Sequence, residues 1–161
     1  MKVLILGAGA VGGYFGGRLV QAGTDVAFLV RPQRAQTLAR NGLVIRSPLG
    51  DAQIPVRTVL QEAVRPDYDL VMLSCKAYDL DASIAAIGGA MGPNTLLLPL
   101  LNGMAHLDRL DQEFGGERVL GGTCYIASTL DADGAICHLS KFQGISCGMR
   151  TGNHSHAGAL L

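Results

Sequence analysis

Lys2-Val3-Leu4-Ile5-Leu6-Gly7-Ala8-Gly9-Ala10-Val11-Gly12 is the stretch on which the fold turns. Val3 to Leu6 are apolar without polar alternation, the pattern of a strand covered on both faces. A Gly-x-Gly-x-x-Gly spacing follows at once and opens a run in which Val11, Tyr14, Phe15, Leu19 and Ala22 recur at helical intervals. Strand, glycine bend and helix in that order form the context in which this motif holds a dinucleotide. Gly7 permits the tight bend and Gly9 lets a pyrophosphate reach the backbone. Gly12 lets the helix lie close on the strand, and the helix N-terminus presents oriented N–H donors. Ala8, Ala10 and Val11 complete the six-residue candidate binding loop.

Outward from this loop, Gly23-Thr24 stops the helix and Val26 to Val30 is a second apolar strand, which closes a β-α-β unit. Pro32 to Arg40 reads as a short helix ended by Asn41-Gly42, then Leu43 to Arg46 as a third strand. Ser47 to Asp51 is a turn, and Ile54 to Val59 a further strand. Leu70 to Leu73 and Leu96 to Leu101, the latter broken by Pro99, repeat the buried-strand pattern, with helices expected over Asp79 to Met91 and His106 to Phe114. In the tail, Arg118 to Ser128, Ala135 to Leu139 and Phe142 to Cys147 are separated by Asp133-Gly134 and Ser140-Lys141, which predicts antiparallel strands. The fold class is therefore α/β: a Rossmann-like dinucleotide-binding domain on a parallel sheet, with additional C-terminal antiparallel strands.

Composition narrows the function. At 161 residues with 48% hydrophobic and 16% charged, the chain suits one domain with a sizeable core. Thirteen basic and thirteen acidic side chains cancel, so no net positive field draws nucleic acid or an anionic membrane. Residues 1–65 hold eight Lys/Arg against three Asp/Glu, and residues 66–161 five against ten, so an anionic ligand favours the first half. The four cysteines form no C-x-x-C pair and lie mostly in apolar runs, pointing to a reduced, cytoplasmic setting. Six glycines among residues 7–17 make a poor signal-peptide core, and Gly92-Pro93-Asn94 cuts the uncharged run from Ala82 to Leu107 into two buried elements rather than a membrane span.

The choice of dinucleotide falls at the end of the second strand, where an NAD site places a carboxylate on the ribose 2′-hydroxyl. Arg31 stands there, and no Asp or Glu occurs between Asp25 and Asp51, whereas Arg34, Arg40 and Arg46 add cations. A guanidinium makes paired, charge-assisted bonds to a phosphate, so NADP(H) is favoured over NAD, with Arg31 as its reader and Arg40 and Arg46 as a solvated face. Lys76 and Asn102 each follow an apolar strand, so Gly7, Arg31, Lys76 and Asn102 should line one edge of the sheet. His106 and His138 read as surface or core residues. Cys137, Cys147, His154 and His156 match no zinc spacing, and no metal site is expected.

Four ordered segments carry a family likeness: the opening M-K-V-L-I-L-G-A-G-A-V-G-G-Y-F-G-G-R-L, L-S-C-K-A-Y around Lys76, L-L-N-G-M around Asn102, and G-G-T-C-Y-I-A ending at Ala127 with D-G-A-I-C-H after it. Together they resemble the ketopantoate reductases (2-dehydropantoate 2-reductases), from Met1 to about Gly148. The resemblance implies NADPH-dependent reduction of a 2-keto acid, 2-dehydropantoate to pantoate, on the route to pantothenate and coenzyme A. It places cofactor contacts on Gly7, Ala8, Gly9, Ala10, Val11, Gly12, Arg31, Lys76, Asn102 and Ala127, with Asn102 and Lys76 also supporting catalysis.

It further implies a dinucleotide domain over residues 1–150, followed by a helical domain whose lysine is the general acid, with residues 151–161 beginning the connecting segment. On that basis this chain is expected to bind NADPH with little turnover, and to self-associate unless a helical domain covers it. Two alternatives stand beside this: a non-catalytic NADP-binding module or subunit, and a reductase of a different 2-keto acid.

Overall fold

A computed structural model describes residues 1–150, so the expected connecting segment at 151–161, with His154 and His156, lies outside the described residues. Five strands form a parallel sheet: β1 (Lys2–Leu6), β2 (Asp25–Leu29), β5 (Arg57–Val59), β6 (Leu70–Leu73) and β7 (Leu96–Pro99), in the order β5-β2-β1-β6-β7. Leaving β1 the chain winds outward through β2, then crosses back to β6 on the other side. This reversal puts a topological switch point between β1 and β6. The four remaining strands, β3 (Leu43–Arg46), β4 (Ala52–Ile54), β8 (Gly121–Leu130) and β9 (Ile136–Gly148), make a second sheet in the order β4-β3-β9-β8.

Side chains alternate across the parallel sheet and build two cores. Leu4, Leu29, Val71, Leu73 and Leu97 pack with Ile84 and Ile87 of α3 (Leu80–Ile87) and with Leu107, Leu110 and Phe114 of α4 (Ala105–Phe114). Val3, Ile5, Phe28, Met72 and Leu98 face the other way, toward Tyr14 and Phe15 of α1 (Ala10–Gln21), Leu38 of α2 (Pro32–Asn41), and Leu43, Ile45 and Ile136 of the second sheet.

Helix α1 therefore lies between two sheets, and its glycines are sorted by face. A Cβ on Gly16 would fall 2.4 Å from Ile5 Cδ1 and 2.6 Å from Phe28 Cζ, on the parallel sheet. On Gly17 it would fall 2.7 Å from Ile45 Cδ1 and 2.8 Å from Leu43 Cδ2, on the second sheet. With Gly12 and Gly13 one turn earlier, the four make two stripes at i, i+4 spacing, which let both sheets approach the helix backbone.

Three elements differ from the sequence reading. Ile54 to Val59 is not one strand: Pro55 removes a ladder donor, and the chain passes from β4 in one sheet to β5 in the other. The helix expected over Asp79 to Met91 is shorter, with 3₁₀ turns at Ala77–Asp79 and Gly88–Ala90 on either side of α3, because Gly88-Gly89 cannot sustain it. Ala135 to Leu139 and Phe142 to Cys147 form one strand, β9. The interruption at Ser140-Lys141 survives as a bulge, since pairing passes from Ser128↔His138 directly to Ile126↔Gln143. Ala127 on β8 thus faces four residues, 139–142, on β9. The hairpin is antiparallel as expected, while β9 runs parallel to β3.

Candidate functional site

The register aligns the carboxyl ends of four strands: Leu6 pairs with Leu29 and with Leu73, and Leu73 pairs with Pro99. Gly7 lies one residue beyond this row, Arg31 two, and Lys76 and Asn102 three. Along the edge the order is Arg31, glycine loop, Lys76, Asn102, over three inter-strand intervals of about 4.8 Å each, or about 14 Å. These four expected site residues come to one edge, astride the switch point.

The loop leaves its backbone open at Gly9 and packed at Gly12. Gly7 has φ +84°, a left-handed conformation open to glycine, and its N–H donates to Leu29 O at 2.8 Å, tying the bend to β2. Gly9 is the N-cap of α1 at φ −84°, ψ −167°, and a Cβ built on it meets nothing within 4 Å. Its direction is open space, and with no side chain it caps none of the first-turn N–H groups. No acidic residue occupies that turn, so the positive end of the helix is uncompensated. Gly12 is packed instead: a Cβ there would lie 2.4 Å from Ser74 Oγ and 3.1 Å from Gly7 O. Ala8 is buried, Ala10 and Val11 half-buried.

Arg31 is exposed at the N-cap of α2 and makes no ion pair or side-chain hydrogen bond among the described residues. Of the other arginines in this stretch, Arg46 pairs with Asp131 at 3.3 Å and Arg40 is exposed at the far end of α2. Arg34 behaves differently. Its Nη2 donates to Ala8 O at 2.9 Å, and burial lowers its pKa. Lys76 and Asn102 are exposed in the loops after β6 and β7.

Ala127 is exposed on β8, at the bulge that the pairing register passes over. It stands on the second sheet, on the strand whose Cys124 thiol lies 3.9 Å from Leu100 O, just past the end of β7.

Sequence reasoning missed Ser74, whose hydroxyl abuts the helix start at Gly12, and the rim residues Tyr78 and Met104, which are 85% and 72% exposed just beyond Lys76 and Asn102. Ser74 had one signal, being the first polar residue after an apolar strand. Cys75, next to it, has a thiol pKa raised by burial, opposed by a hydrogen bond with Ser83.

His106 and His138, the histidines among the described residues, are buried. His138 Nε2 donates to Phe142 O at 3.2 Å, so in the neutral ring Nδ1 is the acceptor and Ser47 Oγ donates to it at 2.9 Å. That bond fastens the 139–142 bulge to the turn after β3. Burial, then repulsion from Arg150, lowers the pKa of His106. No group of His, Cys, Asp or Glu suited to a metal occurs among the described residues, and no described helix is long and apolar enough to cross a membrane.

The sequence profile of the ketopantoate reductase PanE/ApbA family matches residues 3–151. The uncharacterized oxidoreductase YkpB of Bacillus subtilis is 41% identical over 140 residues, covering 87% of this chain and 46% of that protein. The crystal structure of 2-dehydropantoate 2-reductase from Geobacter metallireducens superposes with a TM-score of 0.88 at 30% identity, over 99% of this chain and 53% of that one. D-mandelate dehydrogenase, solved with NADH and anilino(oxo)acetate, gives 0.86 at 26% identity, over 99% and 51%. The chain spans about half the length of the curated relatives it matches.

Proposed function

The chain belongs to the ketopantoate reductase PanE/ApbA family, and from that premise we propose that residues 1–150 are the NADPH-binding domain of a cytoplasmic 2-keto acid reductase. The reaction is the reduction of 2-dehydropantoate to pantoate, on the route to pantothenate and coenzyme A. The observation that carries this is the level row of strand ends, with Arg31, the glycine loop, Lys76 and Asn102 in sequence along it. Arg31 would hold the adenosine 2′-phosphate of a dinucleotide on this edge, Gly9 and the N-terminus of α1 its pyrophosphate, and Lys76 and Asn102 its nicotinamide end.

When bound, the reduced nicotinamide supplies a hydride to the keto carbon. The residues of this chain bind and orient. The Arg31 guanidinium reads the phosphate, and no carboxylate stands at the end of β2 to repel it. Lys76 offers a point charge to phosphate or to a carbonyl. The Asn102 amide donates a hydrogen bond, not a proton, to the nicotinamide ribose or the substrate oxygen. Negative charge that develops on that oxygen needs an acid, which family likeness assigns to a lysine of a helical domain outside these residues. Ala127 belongs to the proposed cofactor contacts by likeness alone. Tyr125, Leu139 and Phe142 leave apolar surface exposed on the β8–β9 hairpin, which the helical domain or a second copy covers.

Likeness to D-mandelate dehydrogenase favours a second reading, a reductase of a different 2-keto acid. Titration with NADPH and with NADH, followed by nicotinamide fluorescence, tests the cofactor claim. The expected result is tighter binding of NADPH, with the preference lost in Arg31→Ala. A preference for NADH, or binding of neither, overturns it.

A further inference from the structure

We propose that Arg34 is a positioning residue for the glycine loop, wedged between the Ala8 carbonyl and the β8–β9 turn so that the loop is held ready for a dinucleotide of either kind. This rests on the reading of the loop as a pyrophosphate site, and adds to it a residue that binds no part of the cofactor.

Arg34 occupies the first turn of α2, yet its guanidinium does not extend into solvent. Nη2 donates to Ala8 O at 2.9 Å, and Nη1 lies 2.5 Å from where a Cβ on Gly134 would be. Gly134 sits at φ +80° in the turn between β8 and β9, and the missing side chain leaves the room the guanidinium fills. That turn is itself firm. Asp131 Oδ1 accepts from the N–H groups of Asp133 at 3.0 Å and Ala135 at 2.8 Å, while Oδ2 pairs with Arg46. Its carboxylate is thus committed elsewhere, and Arg34 has no carboxylate partner among the described residues. A half-buried cation kept without one is held for geometry.

The Ala8–Gly9 peptide is trans and planar, so its C=O and the Gly9 N–H point in opposite directions. Fixing the carbonyl on Arg34 fixes the donor direction of Gly9, whose N–H takes no acceptor among the described residues. Arg31, one turn back on the same helix, carries no such bond. The two arginines therefore divide the work: one recognises, the other shapes.

The test compares Arg34→Ala, Arg34→Lys, Gly134→Ala and Arg31→Ala with the wild-type protein in NADPH and NADH titrations. The amide resonance of Gly9 is followed in the free proteins, and thermal melts confirm that each folds. Arg34→Ala should weaken NADPH and NADH by the same factor, about tenfold or more, the scale of one hydrogen bond from a charged group. It should shift the Gly9 resonance before any nucleotide is added. Gly134→Ala, which pushes the guanidinium off Ala8 without touching its charge, should repeat both effects, and Arg34→Lys should recover part of the loss. Arg31→Ala should weaken NADPH alone. A loss confined to NADPH in Arg34→Ala would make Arg34 a phosphate ligand and overturn the proposal, as would unchanged binding or an unmoved Gly9 resonance. Failure of the wild-type protein to bind either nucleotide would instead remove the reading on which the proposal rests.

Discussion

Replacing Gly9 with alanine separates the role of the loop in the fold from its role in binding. The residue has φ −84° and ψ −167°, a conformation open to alanine, and the added Cβ meets no atom within 4 Å. Two small effects on stability oppose one another. Loss of freedom in the unfolded chain gains about 0.4–1 kcal/mol, and a poorer N-cap residue costs about as much. The net change is within about 0.5 kcal/mol, a shift in Tm of about 2 °C or less for a chain of this size. Binding is another matter, because on the proposed function the methyl group would occupy the space through which a pyrophosphate reaches the first-turn N–H groups. Loss of one charge-assisted hydrogen bond costs about 1.5–3 kcal/mol, so NADPH should bind roughly ten- to a hundredfold more weakly. Calorimetric melting and fluorescence titration measure the two on one sample. An intact Tm with unimpaired NADPH binding would refute the assignment of this loop, and a collapse in Tm would refute the open surroundings of Gly9.

The other expectations concern the interior. Gly16→Ala puts a methyl 2.4 Å from Ile5 Cδ1 and 2.6 Å from the buried Phe28 ring. Because Ile5 and Phe28 are fully buried, a steric cost toward the top of the range of about 1–3 kcal/mol outweighs the gain of about 1 kcal/mol in helix propensity and should lower the urea midpoint, and an unchanged midpoint would contradict the close packing of α1 on the parallel sheet. Tyr14 Oη is buried without a hydrogen-bond partner among the described residues, so Tyr14→Phe should leave stability unchanged or raise it by about 1 kcal/mol in the same assay. Burial raises the thiol pKa values of Cys75, Cys124 and Cys147. Their folded values exceed the unfolded one, so stability is full below about pH 8.5 and declines as pH rises above it. Urea midpoints from pH 7.5 to 9.5 should fall, less steeply in Cys75→Ala, and an equal slope in that variant would count against the buried thiol.

How much was legible in advance follows from the range of each interaction. The strand, bend and first helix lie within 22 consecutive residues, and their apolar spacing and glycines were enough to place them. The parallel strands β1, β2, β6 and β7 were equally visible, because burial on both faces leaves unbroken apolar runs, whereas the edge strand β5, Arg57-Thr58-Val59, carries no such run. The second sheet was harder: β3 pairs with β9, about 90 residues away, and nothing local to Leu43–Arg46 states which sheet it joins. The second glycine stripe, Gly13 and Gly17, gains its meaning only from Ile136, Ile45 and Leu43. Four arginines between Arg31 and Arg46 look alike in sequence. What distinguishes Arg34 is the Gly134 turn, 100 positions on, and no periodicity reports it. The bulge at Ala127 did leave a trace, the polar pair Ser140-Lys141 between the runs Ala135 to Leu139 and Phe142 to Cys147.

A crystal structure of the protein with NADPH tests the central claim most directly. The account predicts the pyrophosphate against Gly9 and the N-terminus of α1, the 2′-phosphate on Arg31, and the nicotinamide toward Lys76 and Asn102. A cofactor bound elsewhere, or laid along the edge with its 2′-phosphate away from Arg31, would contradict it.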